Sequence, residues 1–226
     1  MIAETFIDLV RRHRPTDEVL TLGRGVECTF KADLRDIEAV DDLRDELATV
    51  DRIFICHGVL SSKPLVEQSA SEAADSLAVN LLSVVRLIEI ALRVNPSVRI
   101  VAIGSESGIK GSYDDSYALA KAALHAYVGW RMPEFQEQQL VCIAPSMISD
   151  TGMTIRRADQ ERVEERARSH PQGRLLTSAE VASFAYHLLY QHSSYLTNTV
   201  IPMTGSKFAH GPAPRPVPPS GQEPRT

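Results

Sequence analysis

Tyr117 and Lys121 stand four residues apart in the stretch "SYALAKAAL". At helical spacing the two side chains leave one face of the helix. An ammonium beside a phenol favours the phenolate, so the pair could exchange protons near neutral pH, which a free phenol with a pKa of about 10 cannot. Taken alone, the pair also fits a packed helix with an amphipathic tyrosine and a snorkelling lysine. Ser105 lies twelve residues before Tyr117 in "IGSESG". Its hydroxyl could hold a carbonyl or hydroxyl oxygen while the phenol moves a proton, or could simply satisfy a turn. Asn80 interrupts the apolar run "LAVNLLSVV". That residue is either a satisfied core amide or the anchor for a water that feeds protons toward the lysine.

The elements that must position these groups alternate between strand and helix. Residues 2 to about 12 carry apolar side chains at helical spacing. "EVLTLGRG" and "VECTFKADL" read as two short strands, and "DIEAVDDLRDELATV" as an amphipathic helix. "RIFICHG", "VRIVAIGS", "QQLVCIAPS" and "NTVIPM" are apolar runs of strand length. Between them, Ser69 and Glu72 form a candidate capping box that opens a long helix ended by Pro96. The Tyr117 helix follows, and "RRADQERVEERARSH" and "SAEVASFAYHLLYQ" read as an exposed and a buried helix. The pattern predicts an α/β fold, a single doubly wound Rossmann-like domain with a mainly parallel sheet over residues 1–210. A serine at the carboxyl end of such a strand faces the crevice where open α/β sheets bind ligands. Residues 211–226 hold six of the thirteen prolines and predict a disordered tail.

The 226 residues are 43% hydrophobic and 23% charged, with a formal charge of -5. That balance, without a basic stripe, argues against a nucleic-acid partner. No apolar run approaches the ~20 residues that span a bilayer, and the N-terminus lacks the charge order of a secretory signal, so a cytoplasmic protein with no membrane partner is expected. Cys28, Cys56 and Cys142 lie in or beside strand-like runs and form no C-x-x-C pair, so they read as reduced thiols. The histidines show no metal-ligand spacing, and no metal is expected.

In order, "ICHG", Asn80, "IGSESG", "YALAK" and "IAPSMISDTGM" resemble the short-chain dehydrogenase/reductase family over roughly residues 2 to 208. The resemblance implies a catalytic tetrad of Asn80, Ser105, Tyr117 and Lys121. Tyr117 would be the general acid/base and Ser105 would orient the substrate. Lys121 would lower the phenol pKa and hold the nicotinamide ribose, and Asn80 would anchor the relay water. The implied reaction is reversible hydride transfer between NAD(P)(H) and a small carbonyl or alcohol, in a homodimer or homotetramer. Tyr117 and Lys121 would then also touch the cofactor. Asp33 matches the acid placed at the adenine ring, Gly58 the end of the family's N-A-G pattern, Ile148 a backbone contact to the nicotinamide, and Thr151 a contact to its amide. Arg24 resembles the arginine that favours the 2′-phosphate, so NADP(H) is expected over NAD(H). Arg156 and Arg157 fall in the segment where the family places its substrate lid and could meet an anionic substrate, or merely line a solvated helix.

The family's first strand and its T-G-x-x-x-G-x-G turn are not legible before the opening helix. A start placed too late, a shortened paralogue with weak or no cofactor binding, and a sheet closed differently all fit. The second of these allows a non-catalytic partner subunit or sensor of the same fold. A strand absent from the middle of the sheet would leave its neighbours with unpaired ladder groups.

Overall fold

The computed structural model describes residues 2–156, 159–191 and 195–210. The Pro-rich segment 211–226 and Arg157 lie outside the described residues. Helix α1 (Ile2–His13) opens the chain, followed by β1 (Leu22–Gly23) and β2 (Phe30–Lys31). After a 3-10 turn (Ile37–Leu43) and the short α2 (Arg44–Leu47) comes β3 (Arg52–Ile55). Helix α3 (Ala70–Leu77), a π turn (Ala78–Leu82) and α4 (Ser83–Val94) form one continuous rod before β4 (Arg99–Ile103). Next come α5 (Ser107–Lys110), α6 (Asp115–Trp130) and β5 (Gln139–Pro145). Helices α7 (Gly152–Ile155), α8 (Gln160–Ser169) and α9 (Ser178–Tyr190) lead to β6 (Thr199–Met203).

Strands β3, β4, β5 and β6 pair in that order, all parallel. Every residue of β5 is buried, which is why its sequence is a continuous apolar run rather than an alternation. Successive side chains leave opposite faces of the sheet. Ile100, Ala102, Leu140 and Cys142 pack with Ile88 of α4 and Leu124 of α6. Val101, Ile103, Val141 and Ile143 pack with Val181 and Leu188 of α9, and Phe6 of α1 closes that layer. Helices on both faces make this the expected doubly wound α/β architecture.

Strands β1 and β2 form a separate two-stranded parallel sheet, Leu22 opposite Phe30 and Gly23 opposite Lys31. Among the described residues no ladder joins this pair to β3. With a single partner each, β1 and β2 shrink to two residues, although longer strands are predicted there. The predicted helix after β2 is mostly 3-10: Asp36 caps its start by accepting from Glu38 N at 3.0 Å. Val40, Asp41 and Asp42 are weak α-formers, which favours the tighter turn. The Ser69–Glu72 capping box is present, and a second one, Thr177 with Glu180, opens α9.

Candidate active site

Helix α6 carries Tyr117 and Lys121 to the carboxyl end of β4, where Ser105 sits. Its start is fixed by Asp114, the N-cap, whose Oδ1 accepts from Tyr117 N at 3.1 Å and from Ser116 Oγ at 3.0 Å. The other carboxylate oxygen accepts from Ser61 N at 2.6 Å and Ser62 N at 2.9 Å, and Gln68 Nε2 donates to Oδ1 at 3.1 Å. One buried carboxylate therefore ties the helix of Tyr117 to the loop after β3, where Ser62 takes a left-handed φ of 60°. Asp114→Ala removes a cap and strands several donors, so a loss of about 3 kcal/mol is expected. Urea unfolding checks this, and a loss below about 1 kcal/mol would contradict the hub role.

Ser105 is buried and its hydroxyl accepts from Ser107 N at 3.1 Å. The Ser105 side chain acts on the Tyr117 phenol and pulls its pKa down. Burial pushes the Tyr117 phenol above its ordinary range, Ser105 opposes this, and the Asp114 charge adds to the rise. This corrects the sequence-based expectation that Lys121 lowers the phenol. Lys121 Nζ instead donates to the Ile103 carbonyl at 2.8 Å and lies 5.8 Å from the centre of the Tyr117 ring. Helical spacing sets a shared face; the flexible lysine stem then carries the ammonium past the phenol to the strand end.

Lys121 is 2% exposed, and burial pulls it down to about 8. Its charge is felt by the groups around it. His57, in the "ICHG" turn, is lowered to about 4, first by burial and then by Lys121, and its Nε2 lies 3.3 Å from Ser83 Oγ. His125, one turn after Lys121, is lowered to about 4 for the same two reasons. A neutral His125 can use Nε2 as an acceptor, and Ser105 N donates to it at 3.3 Å. Cys56 and Cys142 are raised by burial to about 11 and about 12, so neither is a thiolate nucleophile at neutral pH.

Asn80 lies in the π turn and is fully buried. Its Oδ1 accepts from Val59 N at 3.0 Å, and its Nδ2 donates to Val59 O at 3.0 Å and Ser76 Oγ at 3.2 Å. The side chain is a satisfied amide that fixes the loop after β3. A Cβ on Gly58 would stand 2.9 Å from Asn80 Oδ1, so this close approach requires glycine. Glu106, beside Ser105, accepts from Lys207 Nζ at 2.8 and 3.1 Å and pairs with Lys110 at 3.3 Å. Burial raises its carboxyl, but the Lys207 contacts outweigh this and the net shift is downward.

The remaining predicted cofactor residues are spread along the crevice. Arg24 and Gly58 line a cavity of about 300 Å³ that also includes Gly152, Met153 and Arg156. Ile148 is buried and bridges to Leu176 in parallel. Thr151 is the N-cap residue of α7, and its hydroxyl lies 3.5 Å from the Ile148 carbonyl. Asp33 is closed on the Arg35 guanidinium, which holds its carboxyl down at about 2. Asp114, Glu106 and His125 were not singled out by sequence. Asp114 left a signal as an Asp just ahead of a helix and His125 as a third residue at four-residue spacing, while Glu106 left none.

The fold and this Ser–Tyr–Lys cluster define a Rossmann-type oxidoreductase. The family described as enoyl-(acyl carrier protein) reductase matches residues 8–205, and the chain belongs to this short-chain dehydrogenase/reductase family. It is 30% identical over 193 residues to the 3-oxoacyl-[acyl-carrier-protein] reductase FabG of Salmonella typhimurium, covering 82% of this chain and 78% of that one. A crystal structure of the 3-oxoacyl (acyl-carrier-protein) reductase from Agrobacterium tumefaciens C58 with NADP bound is similar at a TM-score of 0.70. That pair is 28% identical, over 78% of this chain and 72% of the other. A short chain dehydrogenase family protein from Francisella tularensis shares the fold at a TM-score of 0.77 and 18% identity, over 92% and 94% of the two chains.

Proposed function

We propose that the protein is an NADPH-dependent reductase of small carbonyl substrates, of the 3-oxoacyl thioester class named for its relatives. The observation that carries the reading is that α6 brings Tyr117 and, one turn on, Lys121 to the carboxyl end of β4, where Lys121 Nζ donates to the Ile103 carbonyl and Ser105 acts on the Tyr117 phenol. The NADP-bound Agrobacterium relative supports NADP(H) over NAD(H). The crevice fits a phosphate-bearing nucleotide: two guanidinium groups and the bare backbones of Gly58 and Gly152 line its cavity.

The substrate oxygen accepts from Tyr117 and Ser105 together. Bound NADPH supplies the hydride. As charge develops on the oxygen, the two hydroxyls, already oriented by Ser107 N and by the α6 backbone, stabilise it without reorganising. Tyr117 then gives up its proton. Burial keeps the phenol protonated at neutral pH, which is the form that carbonyl reduction needs. Lys121 places its positive charge by the crevice, 5.8 Å from the centre of the Tyr117 ring. Asn80 holds the loop of Gly58 and Val59 that borders the cofactor, and Ile148 and Thr151 frame the nicotinamide end.

NADPH oxidation with acetoacetyl thioester as acceptor tests this reading. Turnover with NADPH preferred over NADH is expected; a purified, folded protein that binds neither nucleotide overturns it. The exposed Leu119 and the small residues Ala122 and Ala126 on α6 support a homodimer or homotetramer, which sedimentation of the same preparation reads. Three free cysteines accord with a cytoplasmic setting.

A further inference from the structure

The sequence assigns Arg24 to the cofactor's 2′-phosphate and Arg156 to the substrate lid. The fold puts both on the walls of one cavity of about 300 Å³, with Gly58, Ser62, Gly152 and Met153. Among the described residues no aspartate or glutamate lines it. Among the described residues neither arginine is in an ion pair. Arg156 donates from Nε to the Gly152 carbonyl at 3.0 Å, which fixes the stem and leaves its terminal nitrogens for a ligand. Arg24 acts on Asp33 only at longer range, because that carboxylate is already closed on Arg35.

Two exposed cations lining one cavity make it attractive to an anion that lies between them. Guanidinium groups bind phosphate oxygens through paired N–H donors. The cavity is at the small end for ligand pockets, which suits one segment of a dinucleotide rather than the whole. Its glycines leave backbone bare at the cavity wall, and Gly58 abuts Asn80.

We propose that Arg24 and Arg156 clamp the diphosphate of the nucleotide, one guanidinium to each phosphate. The proposal rests on the cofactor reading above and changes the role of both arginines. Arg156 leaves the substrate site and becomes a cofactor residue. Arg24 serves the diphosphate that NADPH and NADH share.

Calorimetric titration of the full chain with inorganic pyrophosphate, NADPH and NADH, in wild type, Arg24→Gln, Arg156→Gln and Arg156→Lys, tests the clamp. Each glutamine variant is expected to weaken all three ligands about tenfold, and Arg156→Lys to recover part of the loss. Pyrophosphate affinity that drops in both glutamine variants, with no NADPH binding in wild type, keeps the clamp while overturning the cofactor reading. NADPH binding unchanged in Arg156→Gln overturns the clamp and leaves the cofactor reading standing. A loss confined to NADPH in Arg24→Gln also overturns it, because Arg24 would then serve the 2′-phosphate. Absence of pyrophosphate binding in wild type overturns it as well.

Discussion

Tyr117→Phe is expected to lower kcat for carbonyl reduction by about 10²- to 10⁴-fold, the range for removing a positioned general acid, with little change in melting temperature. Only one oxygen is removed. The Ser105 hydroxyl keeps Ser107 N as a donor, so no buried group is stranded by the change. The ring still packs on α6, and the Asp114 cap acts through the Tyr117 backbone rather than its side chain. KM for the nucleotide should therefore hold while kcat falls, which marks an interaction made in the transition state. A kcat within tenfold of wild type would remove Tyr117 from the proton-transfer role. The raised phenol also sets the sign of the pH dependence. Reduction needs the protonated form, so kcat should stay level through neutral pH and fall on the alkaline side, as Tyr117 ionises.

The second large effect is at Lys121, where activity and stability are expected to part. The buried ammonium is pulled from 10.5 to about 8, which corresponds to a folding cost on the order of 3 kcal/mol at neutral pH. Lys121→Met removes that cost, keeps a side chain of similar shape, and leaves the Ile103 carbonyl without its donor, a penalty of about 1–3 kcal/mol. The two nearly offset, so the melting temperature at pH 7 should be no lower than wild type, while kcat falls about 10²-fold or more. Between pH 8 and 10.5 the unfolded chain binds more protons at this lysine than the folded one, so its contribution makes stability rise with pH. The wild-type curve minus the Lys121→Met curve should climb across that window by up to about 1.4 kcal/mol per pH unit. Taking the difference removes the burial part of the Cys56 and Cys142 shifts, which acts in the opposite direction, and leaves only their coupling to Lys121. A flat difference curve, or a melting temperature lowered by more than about 5 °C, would mean that the ammonium is not held as described.

The sequence by itself determined the long helices and the four paired strands, though not the 3-10 form of the segment after β2. Buried parallel strands such as β5 must be continuous apolar runs, and the capping boxes at Ser69 and Thr177 are local hydrogen-bond patterns that a few residues specify. It also determined that Tyr117 and Lys121 share a helix face, and that Ser105 ends a strand. Only the tertiary structure decided what those groups touch. Asp114 joins positions more than fifty residues apart, because the loop after β3 folds back over the start of α6. Lys121 reaches the Ile103 carbonyl rather than the phenol because a flexible stem follows the nearest buried acceptor, not helical spacing. Arg24 and Arg156 meet at one cavity because the loops after β1, β3 and β5, distant in sequence, converge on it. Local patterns are written in neighbouring residues; a shared electrostatic environment is made only when distant ones are brought together.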